Sequence, residues 1–249
     1  MEQQLTALAD GIEEAATVVA FTGAGVSTAS GIPDFRGEGG IWEKHDPGMF
    51  NITAVRRNPG DFWEMLLAVH DEAFAGDPEP NPAHEALASL ESRGQLESII
   101  TQNADGLHQA AGSEDVIELH GNLERTVCQS CRHREPFDDA RRRAESGELP
   151  PTCEECGGTL KPDAVLFGEQ LPEHAIMRSH ALAERADVFL VAGSSLRVEP
   201  AATLPETARD HGATLAIVNL EPTKHDDSAD FVFHEDVTDV LPRIESAVS

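Results

Sequence analysis

The chain has no tyrosine, two tryptophans, four cysteines and three lysines (Lys44, Lys161 and Lys224) in 249 residues. Basic side chains are scarce beside acidic ones: 18 Lys and Arg against 45 Asp and Glu, a formal net charge of -27. Contacts to phosphates of nucleic acid need abundant Lys and Arg, so direct nucleic-acid binding is not expected. There is no run of about eighteen apolar residues, the length a membrane helix requires. The acidic opening MEQQLTALADGIEEAA lacks the basic start and apolar centre of a signal peptide, which makes the cytoplasm the expected location. Acidic residues are spread along the whole chain rather than gathered in a tail. A uniformly acidic, lysine-poor surface suits high salt, where screening removes much of its self-repulsion; a halophilic source is expected.

The few cysteines are ordered. Cys128-x-x-Cys131 is followed, after twenty-one residues, by Cys153-x-x-Cys156. Each pair offers two thiolates from one tight turn, and two turns complete a tetrahedron around Zn2+. Four protein ligands leave no open position for water, so the expected metal is structural. Two disulfides are the other arrangement, disfavoured in a cytoplasmic chain.

Apolar, β-branched runs occur at 17–23, 96–102, 115–119, 187–194, 213–220 and 230–234. Several are continuous rather than alternating, as in parallel strands covered on both faces. Helical stretches around 1–15, 82–93, 173–186 and 200–211 separate them, which predicts an α/β fold with a Rossmann-like, doubly wound parallel sheet. Two segments break the alternation: 34–80, rich in Gly and Pro with one amphipathic piece, and 122–165, which holds every cysteine. They are expected to form a small domain, a helical module plus a zinc module. Residues 1–33, 81–121 and 166–249 would form the nucleotide domain.

The stretch FTGAGVSTASGIPDFRG (21–37) follows the first run. Gly23-Ala24-Gly25 opens like a dinucleotide-binding loop, whose backbone N–H groups approach a pyrophosphate. Thr28 stands where a third glycine should be, and Gly31, Ile32 and Pro33 interrupt the helix that should follow. Ligands of open α/β sheets gather at the carboxyl ends of strands. Gly193-Ser194-Ser195 and Asn219 end two further runs, and Asn219 and Glu221 suit a ribose. TQNADGLH (101–108) packs Gln102, Asn103 and Asp105 into four positions, a set suited to a carboxamide and a ribose. His120 follows another run and is the best candidate for a general base, because imidazole titrates near neutrality. His84 and His108 are read as structural.

Together these motifs resemble the sirtuin family of NAD-dependent protein-lysine deacylases. GAGVSTASGIPDFRG, TQNADGLH, LHG (119–121), the paired CxxC, KPDAVLFGE (161–169), GSSLRVEPA (193–201) and IVNLEP (217–222) follow in that family's order. The resemblance implies a cleft between a Rossmann-like and a zinc-bearing domain, with NAD as cosubstrate. Gly23, Ala24, Gly25 and Thr28 would line the phosphates. A loop with Asp34, Phe35 and Arg36 would cover the nicotinamide half. Ile32, Asn103, Ala104 and Asp105 would form the nicotinamide pocket, with Gln102 beside them. Gly193, Ser194, Ser195, Asn219, Leu220, Glu221 and Val237 would hold the adenosine side, Val237 standing where the family has a turn over adenine.

By the same resemblance an acyl-lysine carbonyl oxygen attacks the anomeric carbon and expels nicotinamide. The product is an alkylimidate; His120 then acts as base on the ribose hydroxyls so that the 2′-oxygen attacks the imidate carbon, and hydrolysis gives free lysine and O-acyl-ADP-ribose. The acylated peptide would lie as a strand between Val165, Phe167, Gly168 and Glu169 on one side and Leu196 and Val198 on the other. Phe62, Trp63, Met65 and Leu66 are expected around a neutral acyl group, since no Arg–Tyr pair stands there for a succinyl carboxylate. Two other readings stay open: a mono-ADP-ribosyltransferase, and a non-catalytic NAD sensor.

Overall fold

A computed structural model describes residues 1–34 and 40–249. Nine strands are present among them: β1 Val18–Thr22, β2 Ser98–Thr101, β3 Val116–Glu118, β4 Gly121–Cys128, β5 Arg134–Pro136, β6 Leu160–Ala164, β7 Val188–Ala192, β8 Thr214–Val218 and β9 Phe231–Phe233. Six of them make one sheet in the order β3-β2-β1-β7-β8-β9, every neighbour parallel. All six expected strands are therefore found. Every residue of β1 and β7 is buried, which is why those runs read as continuously apolar.

Helices cover both faces. Glu2–Glu14, Pro82–Ser92 and Val237–Ala247 bury Leu8, Ile12, Leu87 and Ile244 against Leu190 on one face. Glu173–Arg185 and Leu204–Asp210 bury Leu182 and Ala208 against Phe21, Phe189 and Ile217 on the other. After β1 the chain builds β2 and β3 to one side, and later β8 and β9 to the other. The carboxyl ends of β1 and β7 thus flank the switch point at which connections diverge, where a doubly wound sheet opens a crevice.

Val237, expected as a contact to adenine, opens the helix Val237–Ala247. Asp236 caps it by accepting from Thr238 N–H at 2.8 Å, and Val237, Val240, Leu241 and Ile244 form its buried stripe. Pro242, inside the helix, obscures that stripe in the sequence.

A third core joins 52–73 to 122–166. Here β5-β4-β6 form an antiparallel sheet, covered by the helices Pro59–Ala73 and Phe137–Glu145. Trp63 is fully buried, stacks on Phe137 at 5.9 Å and donates from Nε1 to the Leu160 carbonyl at 2.8 Å. Phe62 and Leu66 are buried with it, and Met65 packs against the same core. These side chains do not line an acyl pocket as expected. The apolar stripe of their helix is spent on the cysteine-bearing sheet.

Candidate active site

At the switch point the backbone of two strand ends interlocks. After Thr22 the chain forms two short 3-10 turns, Ala24–Val26 and Thr28–Ser30. Gly23 N–H donates to Ala192 O at 3.1 Å and Gly25 N–H to Gly193 O at 2.9 Å. A β-carbon on Gly23 or Gly25 would lie 2.8 or 2.9 Å from Gly193 O, and one on Gly193 (φ +60°) would lie 2.3 Å from Val26 N. The glycines therefore serve first to seat the loop on β7. Ala24 and Gly25 remain half-buried at the crevice, and Thr28 is exposed with its hydroxyl on Gly25 O at 3.1 Å. Half-buried Ile32 donates its N–H to Ser27 O, and Asp34 O accepts from Ile41 N–H. Phe35 and Arg36 lie outside the described residues.

Beneath the loop lies a polar network centred on Ser27, which is 1% exposed. Its hydroxyl donates to Asp105 Oδ2 at 2.8 Å and accepts from Asn103 Nδ2 at 3.1 Å. Asn103 also donates to Gly23 O, and Asp105 Oδ1 accepts from Leu107 N–H at 3.0 Å. Asp105 is thereby held in one orientation while half-exposed to the crevice. Half-buried Ala104 is fixed through its carbonyl by Leu123 N–H at 2.8 Å. Gln102 Nε2 donates to Ser194 Oγ at 2.7 Å, tying the β2 and β7 ends together. His84 closes the network from below. Its Nδ1 accepts from Asn81 N–H, so Nε2 carries the proton and points at Ser27 Oγ, 3.4 Å away. Nothing in the sequence singles out Ser27 from its neighbours, and His84 arrives from 57 residues away.

His84 and His108 are buried edge to face at 4.9 Å. Burial pushes the His84 imidazole down to about 4, with Asp105 acting against it; burial, and then His84, push His108 down to about 3. In the unfolded chain both titrate near 6.5, so from there down to about 4 the unfolded state binds protons that the folded state does not. Stability must fall as pH falls through that window. The melting temperature should decline steadily from pH 7 to 4.5, with a shallower slope for His108→Gln. A flat profile in the parent chain would contradict this.

His120 lies two residues past β3. Its Nδ1 is 2.8 Å from Gln102 O, and a carbonyl only accepts, so the proton sits on Nδ1 and the Nε2 lone pair is free. Burial lowers the His120 pKa against the opposing effect of the Gln102 hydrogen bond, so the ring is neutral at pH 7. Gly121 (φ +74°) must be glycine, since a β-carbon would lie 2.0 Å from Asp163 O. His120 O accepts from Val165 N–H at 2.8 Å.

That contact leads to an aromatic wall. Half-buried Val165 is followed by Phe167, 44% exposed, whose N–H donates to Phe50 O and whose carbonyl accepts from Ile52 N–H. Trp42 lies 5.0 Å from the Phe50 ring and 6.1 Å from Phe167. Trp42 and Phe50 come from a stretch without a sharp motif, so only the fold brings them here. Gly168 (φ +85°) turns the chain, and the Glu169 carboxylate faces Lys161 and Leu166 N–H rather than the cleft. Leu196 is buried in the core, Val198 is half-buried and Ser195 sits at the crevice.

On the far side, Asn219 is fixed by Phe233 O and by its own Nδ2 donating to Glu221 O at 2.7 Å. Leu220 is 65% exposed and Glu221 exposed, whereas the Val237 side chain is buried in the core. That burial removes Val237 as a side-chain contact to adenine.

The four cysteines converge. Cys128 Sγ lies 3.5 Å from Cys156 Sγ, Cys131 Sγ 3.7 Å from Cys153 Sγ, and all four fall within 4.8 Å of one another. A tetrahedral site with Zn–S bonds of about 2.3 Å has sulfurs about 3.8 Å apart, so the set fits zinc. All four are free thiols. The knuckles rest on backbone: Gly158 passes so close that a β-carbon would lie 2.9 Å from Cys128 Sγ.

The Sir2 family model matches residues 23–200. An NAD-dependent protein deacetylase of Haloarcula marismortui is 50% identical, covering 97% of this chain and 94% of its own. An NAD-dependent protein deacylase 2 of Archaeoglobus fulgidus is 43% identical over 100% and 97%. Among solved structures, a Sir2 complex with a p53 peptide and NAD+ superposes with a TM-score of 0.87 at 39% identity over 98% of both chains. One with deacetylated p53 peptide and 3'-O-acetyl-ADP-ribose superposes with 0.90 at 39%, over 98% of this chain and 99% of the other. A match over most of the chain to model, relatives and structures places it: this chain belongs to the Sir2 family, the sirtuins.

Proposed function

We propose that the protein is an NAD-dependent protein-lysine deacylase, transferring an acyl group from lysine to ADP-ribose and releasing nicotinamide. The observation that carries this is His120: one ring nitrogen is pinned to Gln102 O and the other is free, between the glycine-lined crevice and the Val165–Phe167 segment. NAD supplies an anomeric carbon bearing a good leaving group. Asp105, oriented by Ser27 and Leu107 N–H, accepts from the carboxamide of nicotinamide. Asn103 keeps that pocket in register through Gly23 O. Once the acyl oxygen has displaced nicotinamide at the anomeric carbon, His120 Nε2 takes the proton from a ribose hydroxyl, so that this oxygen attacks the activated acyl carbon, and water then releases the lysine amine. Neutrality at pH 7 leaves the Nε2 lone pair available for that proton transfer.

The lysine stem would run along Phe167, Phe50 and Trp42, with the peptide backbone paired as a strand between 167–169 and 195–198, a mode with weak side-chain demands. An apolar wall favours neutral acyl groups, because a succinyl carboxylate would enter it without a partner. Incubation with NAD and one peptide bearing acetyl, butyryl or succinyl lysine tests the reading. Nicotinamide and O-acyl-ADP-ribose should form from the first two and poorly from the third. ADP-ribosylated protein in their place would make the chain a transferase, and no NAD consumption would make it a sensor.

We also propose that the protein works in the cytoplasm at high salt. The support for high salt is the net charge of -27 spread over the chain. At about 1 M salt the screening length falls to about 3 Å, so melting temperature and activity should rise into the molar range. Equal stability in dilute buffer and molar salt would overturn the halophilic reading.

A further inference from the structure

Of the three lysines, Lys44 and Lys224 are exposed, whereas Lys161 is 4% exposed. An ammonium taken out of water needs a partner for each donor, and Lys161 has one for each of its three. Its Nζ donates to Pro162 O at 3.0 Å, Ala164 O at 2.8 Å and Glu169 Oε2 at 3.1 Å. The same Glu169 oxygen accepts from Leu166 N–H at 3.0 Å, and Glu169 N–H returns to Leu166 O at 3.0 Å. With Gly168 at φ +85°, these bonds close a tight turn over 166–169 and put Phe167 at its tip, 44% exposed.

The pair stands at a joint. On one side β6 pairs with β4, Leu160 opposite Cys128 and Lys161 opposite Val127. On the other, Val165 N–H holds the His120 carbonyl, and Phe167 bonds to Phe50 and Ile52. Burial pushes the Lys161 ammonium below its usual range, and the Glu169 carboxylate acts against this.

We infer that the Lys161–Glu169 ion pair is a positioning device for the acylated peptide: it braces the 166–169 turn against the cysteine-bearing sheet and so keeps Phe167 and the adjoining strand edge aligned with His120. This inference rests on the deacylase reading. Neither side chain touches the reacting atoms; both act through the turn.

Glu169→Gln keeps the shape of the side chain and an acceptor for Leu166 N–H but removes the charge. Lys161→Met keeps most of the stem. With wild type as reference, KM for an acetyl-lysine peptide should rise about tenfold, one decade of affinity, as when binding shared by ground state and transition state is lost. KM for NAD, zinc content and kcat at saturating peptide should change less than twofold to threefold, small beside the change in peptide KM. Should Lys161→Met not fold, Glu169→Gln decides alone, since its side chain is already partly in solvent. An unchanged peptide KM in Glu169→Gln, an equal rise in KM for NAD, or loss of zinc or fold would each overturn the positioning role. A wild-type chain that deacylates none of the peptides would overturn the deacylase reading and this inference with it.

Discussion

His120→Ala should lower kcat by about a hundredfold to ten-thousandfold, the contribution of a positioned general base, and leave NAD affinity nearly unchanged. The asymmetry follows from the site. The glycine loop, Ser27, Asn103, Asp105 and Ser194 are held by one another and by β1, β2 and β7. His120 meets this set at one point, the Gln102 carbonyl, through a side chain that truncation removes without displacing backbone. What the variant loses is the proton acceptor in the transition state, so kcat and kcat/KM fall together. Steady-state kinetics with an acetyl-peptide, paired with calorimetric titration of NAD, measures both. Turnover within a few-fold of wild type would remove His120 from the mechanism. A matching loss of NAD affinity would make it a binding residue.

Replacing any one of the four cysteines by serine should have the largest structural effect of any single substitution outside the two large cores. Zinc in small Cys-rich sites contributes about 10–16 kcal/mol of apparent binding energy that is also folding energy. Here Cys128 and Cys153 are part of the third core, beside Trp63, Phe137 and Leu160. Losing the metal therefore releases two buried members of that core from their clamp between the knuckles. The damage should pass along β4 and β6, whose far ends pair Gly121 with Ala164 next to His120. The two cores of the six-stranded sheet contain no residue of this module, so they should persist. Metal analysis should find about one zinc per wild-type chain and much less in the variants, with new protease sensitivity confined to 40–75 and 121–166. Retained activity with the metal gone, or cysteines found oxidised, would overturn the structural-zinc reading.

Much of this protein was legible in local sequence, because some physical constraints act over a few residues. Burial on both faces forces an unbroken apolar run, which identifies β1 and β7 from VVAFT and VFLVA alone. Two C-x-x-C turns can each present two thiolates, so their spacing points to a four-cysteine metal site. The order of motifs along the chain also names the family before any fold is seen. Strand and helix ends came out within a few residues for the same reason: the start of an apolar run and its flanking polar residues are adjacent in the chain.

The rest depended on which distant segments meet. Trp63 and Leu66 read equally well as a pocket wall or a core stripe. The antiparallel β4–β6 pair settles the matter by placing Leu160 O within reach of the Trp63 indole. Val237 could have capped adenine, but docking of its helix against Leu87 and Leu190 turned it inward. Ser27 became the centre of a network only when crossovers brought Asn103, Asp105 and His84 beneath the glycine loop. Trp42 and Phe50 became a wall only by meeting Phe167. Lys161 found Glu169 because the 166–169 turn folded back on β6. Local sequence determines what a segment can be, since propensity and period are set by neighbours in the chain. Which face a side chain turns to, and what it then touches, is decided by contacts between segments tens of residues apart, whose energies no single segment contains.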